Sequence, residues 1–81
     1  MTTSQANVVI GKKQVLKQLK AGNLTEVNVA IDVQNEYADE IIATARQMGV
    51  PYSRNGTMEQ ISAQYGIDVP SGTVGVLKKP L

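Results

Sequence analysis

The chain has 81 residues, of which 42% are apolar and 19% charged, and its formal net charge is +1. That length holds one small core, and the composition is that of ordinary folded material rather than an acidic low-complexity tail, so a single domain over residues 1–81 is expected. Cysteine and histidine are both absent, which excludes disulfides, thiolate or imidazole metal sites, a cysteine nucleophile and a histidine base. No nucleophile–base pair can be assembled from the remaining residues, so the expectation is a non-enzyme with no cofactor and no metal. Residues 1–6 carry no positive cluster and no long apolar stretch follows, so no leader or membrane helix is read and a cytoplasmic location is expected.

Periodicity switches repeatedly between strand and helix types along the chain. Residues 7–10 form a short apolar run closed by Gly11, after which Val15, Leu16 and Leu19 recur on one helix face until Gly22 stops it. Residues 26–33 predict a strand, with Val27, Val29 and Ile31 on an apolar face and Glu26, Asn28, Ala30 and Asp32 on a mixed one. The next helix is predicted from Asn35 as cap to Gly49, with Tyr37, Ile41, Ile42, Ala45 and Met48 on its inner stripe. Val50 and residues 51–53 predict a short strand, with Pro51 suited to its start or edge. Asn55 and Gly56 make a turn. Thr57 and Gln60 have the spacing of a capping box for a short helix ending at Gly66. A loop over residues 67–72 leads into a last strand containing Val74, Val76 and Leu77. This strand–helix alternation predicts the α/β class, specifically a three-layer α/β/α sandwich around a small mixed four-stranded sheet.

Charge is unevenly distributed. Lys12, Lys13, Lys17 and Lys20 precede Glu26 with no acid among them, whereas residues 26–68 hold all 7 acids against Arg46 and Arg54. On a helical wheel Lys13, Lys17 and Lys20 fall within roughly 60°, beside the apolar stripe, and form a basic ridge. Like charges at these spacings repel by a few tenths of a kcal/mol, an arrangement that becomes favourable against an anion; a solvated helix face explains it equally well. Gly11 adds a helix entry with free backbone N–H groups beside Lys12 and Lys13, which suits phosphate, although a strand-to-helix glycine also serves steric needs. A second candidate is the loop Asp68, Val69, Pro70, Ser71, Gly72 and Thr73, whose Val-Pro pair is either an exposed apolar contact or a connector with Val69 tucked inward. Asp32 ends a strand and is either functional or a local cap, and Tyr37 is expected in the core. Three scattered tyrosines do not make an RNA-stacking platform.

The stretch Val9-Ile10-Gly11-Lys12-Lys13-Gln14-Val15-Leu16-Lys17, continuing to Gly22, resembles the first signature of the kink-turn-binding ribosomal proteins usually called L-seven-A-e, with their L-thirty-e relatives. Gly11, Lys17 and Gly22 keep the spacing of that signature, and Lys13-Gln14 is similar to the family's short bacterial members, where archaeal members have Asn-Glu. Residues 65–74, Tyr-Gly-Ile-Asp-Val-Pro-Ser-Gly-Thr-Val, resemble the second signature, and Ala30 and Asp32 match an Ala-x-Asp at the end of the second strand. Met58 and Ser62 stand in place of a lysine and a glycine of that pattern, and Ser71 and Gly72 in place of alanines. The resemblance implies an RNA-binding protein that recognises kink-turns, sharp bends built on tandem sheared G·A pairs, and that is ribosome-associated. It implies Gly11, Lys12, Lys13, Gln14 and Lys17 at the G·A region and its phosphates, with Val69, Pro70, Ser71, Gly72 and Thr73 as a shelf for an extruded nucleotide. The partner implied is structured RNA, ribosomal or regulatory, with neither DNA nor membrane; a monomer is the simplest expectation for the protein itself. The alternative is a protein-interaction module of the same fold that docks through Glu36, Asp39 and Glu40.

Overall fold

The computed structural model describes residues 7–67 and 71–78. Among these, strand β1 (Val8–Ile10), helix α1 (Lys12–Lys20), strand β2 (Leu24–Val29), helix α2 (Asn35–Gln47), strand β3 (Tyr52–Ser53), helix α3 (Met58–Tyr65) and strand β4 (Thr73–Leu77) follow in the predicted alternation. The sheet order is β1-β4-β2-β3. β4 runs antiparallel to both neighbours, with Val9 opposite Gly75 on one side and Val27 opposite Gly75 on the other, while β2 and β3 are parallel.

Two clusters of buried side chains fill the two faces of this sheet, as a strand layer covered on both sides requires. On one face Val15 and Leu19 of α1 and Ala38, Ile41 and Ala45 of α2 pack on Val9, Leu24, Val27, Val29 and Leu77. On the other, Ile61 of α3 meets Val8, Ala30 and Val74, with Met58, Tyr65, Ile67 and Val76 around them. The three-layer sandwich with a mixed four-stranded sheet is therefore the observed architecture. No helix among the described residues is long and apolar enough to cross a membrane.

The differences from the predicted elements have physical causes. The strand expected over residues 26–33 stops at Val29, because the Ala30 N–H turns to the Gly72 carbonyl at 2.9 Å and the Ile31 N–H to the Gly56 carbonyl at 3.0 Å. Ile31, expected on the apolar face, is 55% exposed, whereas Asn28 and Ala30 of the supposedly mixed face lie buried under the α3 layer. A strand buried on both faces keeps no informative alternation. α2 is capped at Gln34 rather than at Asn35, which is its first helical residue, and Met48 is its exposed C-cap rather than part of the inner stripe. The capping box of α3 forms as predicted: the Gln60 N–H donates to Thr57 Oγ1 at 3.2 Å, the Thr57 N–H donates to Gln60 Oε1 at 2.9 Å, and Gly66 closes the helix in the left-handed region.

This topology decides where a site can form. β1, β2 and β3 point the same way and each is followed by a helix, so the starts of α1, α2 and α3 gather at one end of the sheet, where the chain also enters β4. The ends of strands that feed helices are where ligands bind open α/β sheets.

Candidate nucleic-acid interface

The entry to α1 is made by Gly11, whose backbone (φ 89°, ψ 153°) lies in a region that side chains rarely adopt. Its N–H donates to the Thr73 carbonyl at 3.0 Å, which fastens the start of α1 to the start of β4. Gly11 has no side chain to cap this helix and the first turn contains no acid, so nothing within α1 itself offsets the positive end of its dipole beside Lys12 and Lys13. Val15 and Leu19 anchor the inner side with no exposed surface, and Lys13, Gln14, Lys17 and Lys20 are exposed on the outer side. The predicted ridge thus exists, and from Lys13 to Lys20 it runs about 10 Å along the axis.

Lys12 is placed differently. Its Nζ lies 2.6 Å from Glu40 Oε1 of α2 and 5.4 Å from the centre of the Tyr37 ring. Contact with the Lys12 ammonium, with a smaller contribution from Lys20, holds the Glu40 carboxyl below its ordinary range. Burial pushes the Tyr37 phenol upward, against the Lys12 backbone amide and ammonium, which pull it down.

Tyr37 also touches the loop before β4. A Cβ added to Gly72 would lie 2.9 Å from Val33 Cγ1 and 3.0 Å from Tyr37 Oη, so only glycine fits without displacing them. The Gly72 carbonyl accepts from Ala30, and the Ala30 carbonyl accepts from Arg54 Nη2 at 3.1 Å. Ser71 and Thr73 point inward: Ser71 Oγ donates to the Thr73 carbonyl at 2.9 Å, and Thr73 Oγ1 donates to the Asn28 carbonyl at 3.0 Å. Both side chains are buried, so they shape the loop rather than offer hydroxyls at the surface. Val69 and Pro70, the other two predicted shelf residues, lie outside the described residues.

The structure therefore joins Gly11 to Thr73 and, through Tyr37, Lys12 to Gly72, with Lys13 and Gln14 exposed in the same first turn and Lys17 one turn farther along α1. Sequence reasoning missed the bracing. Tyr37 packs on the core as expected and also bridges Lys12 and Gly72, and Glu40 of α2 occupies Lys12. Ser62 accepts the Ser71 N–H at 3.0 Å through its hydroxyl, which gives a serine in place of the pattern's glycine a structural task. Asp32 is not a local cap: it accepts the Met58 N–H at 3.1 Å, 26 positions away at the start of α3, while the Met58 side chain packs against the α3-side core where the pattern has a lysine. Arg54 is the cation at this end of β3, and its Nε is buried without a partner among the described residues. These partners are distant in sequence, and no local spacing signals the bracing.

A family model described as the ribosomal protein L7Ae/L30e/S12e/Gadd45 family matches residues 1–79. The chain belongs to this family. Among family relatives, the RNA-binding protein YbxF of Geobacillus stearothermophilus is 32% identical over 71 residues, covering 88% of this chain and 87% of that protein. The large ribosomal subunit protein eL30 of Sulfurisphaera tokodaii is 30% identical over 71 residues, covering 86% of this chain and 67% of that protein. A solved structure described as a Giardia lamblia 15.5kD RNA binding protein superposes with a TM-score of 0.85 at 23% identity, covering 94% of this chain and 64% of that one. That likeness shows that this chain shares the fold.

Proposed function

We propose that this family member is a non-enzymatic RNA-binding protein that recognises and stabilises kink-turns in structured RNA. It would act as a cytoplasmic monomer on ribosomal or regulatory RNA. The observation that carries the reading is the hydrogen bond from the Gly11 N–H to the Thr73 carbonyl, which holds the basic start of α1 against the loop entering β4. A bent RNA presenting phosphates and base edges together can meet both regions at once, whereas a straight duplex meets one. RNA binding by YbxF and by the Giardia lamblia protein, as their names describe them, supports the same direction.

In this reading Lys13 and Lys17 neutralise phosphates, Gln14 hydrogen-bonds a base edge of the G·A pairs, and Val69 and Pro70 supply an apolar contact. The protein bends RNA by population shift, because it binds the kinked conformer better than the extended one. The test is a titration, at fixed moderate salt, of a doubly dye-labelled kink-turn RNA and a control whose G·A pairs are replaced by Watson–Crick pairs. The expected result is tight binding with increased end-to-end energy transfer for the kink-turn alone. Equal weak binding to both RNAs refutes the proposal. Lys17→Ala is expected to weaken every RNA alike and to reduce the salt slope by about 0.9, whereas Gln14→Ala weakens mainly RNAs with intact G·A pairs.

A further inference from the structure

Of the two lysines in the first turn of α1, Lys13 extends into solvent and Lys12 is already engaged, 2.6 Å from Glu40 Oε1. Stability does not account for this pair. With side chains 33% and 53% exposed it is of the kind that adds little, and Val15, Leu19, Ala38 and Ile41 already hold α1 and α2 in one core. Its placement is more telling. Glu40 is the carboxylate in contact with a cation at a helix entry whose cap residue is Gly11 and whose first turn holds no acid. A carboxylate and a phosphate ask the same thing of an ammonium: close oxygen approach and opposite charge. The Tyr37 ring beside the ammonium holds Lys12 toward α2 and Glu40.

We infer that Glu40 limits the affinity of the interface by acting as an internal stand-in for phosphate: its carboxylate and a phosphate of the bound RNA compete for the Lys12 ammonium. The inference rests on the RNA-binding reading above and adds a residue that reading does not use. Releasing Lys12 gives the helix entry one more net positive charge. Glu40→Gln keeps the helix and the side-chain size while removing the competitor, so it is expected to tighten RNA roughly fivefold at low salt. The slope of log affinity against log salt is expected to steepen by about 0.9, the signature of one further neutralised phosphate.

The experiment measures wild type, Glu40→Gln, Lys12→Ala and the double variant against the straight control duplex and the kink-turn RNA from 50 to 200 mM salt, a range over which such slopes are readable. Competition predicts that Glu40→Gln tightens both RNAs in the wild-type background, and that the same exchange in the Lys12→Ala background changes affinity less than about twofold at salt that screens beyond roughly 8 Å. An equal effect in the two backgrounds overturns the inference, because Glu40 would then act through its charge alone. An unchanged affinity and slope overturn it as well. A parallel titration with tripolyphosphate, followed through the amide signals of Lys12, Lys13 and Gln14, separates this outcome from failure of kink-turn recognition. Tighter tripolyphosphate binding by Glu40→Gln supports the competition even if the two RNAs bind alike. Unchanged or undetectable binding by both proteins overturns it.

Discussion

Ser62→Ala tests whether the loop before β4 is held by the bond that replaces the family's glycine. In the native protein the Ser71 N–H donates to Ser62 Oγ at 3.0 Å, with both residues only 6% exposed. The substitution removes the acceptor without opening a path for water, so the Ser71 N–H becomes a buried donor without a partner, at a cost of roughly 1–3 kcal/mol. Alanine returns about 0.5 kcal/mol through its better helix propensity at this position of α3. The net destabilisation is then about 0.5–2.5 kcal/mol, and at ~4–8 °C per kcal/mol for a domain of this size the thermal midpoint falls by about 2–20 °C. Paired chemical and thermal denaturation read the change, and hydrogen exchange at the Ser71 amide reads its location. A midpoint within 1 °C of wild type, with Ser71 exchange still slow, would refute the reasoning, because the loop would then be held by its other contacts, including the Ser71 Oγ bond to the Thr73 carbonyl.

Further substitutions probe other links of the same chain of reasoning. Gly72→Ala places a Cβ 2.9 Å from Val33 and 3.0 Å from Tyr37 Oη. Displacing those neighbours costs about 1–3 kcal/mol in a urea melt, and a tolerated alanine would mean the loop yields. Thr57→Ala removes one half of the capping box and is expected to lower stability by about 1 kcal/mol with an unchanged denaturant slope. The Glu40 carboxyl is lowered from its ordinary value of 4.5 by Lys12. The small stability that this exposed pair adds is complete above that value and is lost as pH falls through the lowered one. The Glu40 carboxyl signal is expected to titrate at higher pH in Lys12→Ala than in wild type, and coincident NMR titrations for wild type and variant would refute the assignment.

Features written in short sequence spacings were legible before the fold was known. Thr57 and Gln60 specify a capping box by being three residues apart, Gly22, Gly49 and Gly66 mark helix ends through a local backbone conformation, and Lys13, Lys17 and Lys20 form a ridge because 3.6 residues make a turn. The alternation of elements carried the sandwich for the same reason. The resemblance added the pairing of the α1 start with the Ser71–Gly72–Thr73 segment, which no spacing along the chain could supply.

What the tertiary structure alone decided are the relations between distant residues. β2 ends short of its predicted limit because Ala30 and Ile31 give their N–H groups to Gly72 and Gly56, partners 42 and 25 positions away (72 − 30 and 56 − 31), so the ladder stops for reasons absent from the local alternation. Burial of Asn28 depends on α3 covering that face, and the engagement of Lys12 depends on α2 bringing Glu40 and Tyr37 beside α1. Periodicity fixes which residues share a side of an element, because that is a property of backbone geometry. Which charge meets which, and which donor finds which carbonyl, is settled only when separately formed elements pack against one another.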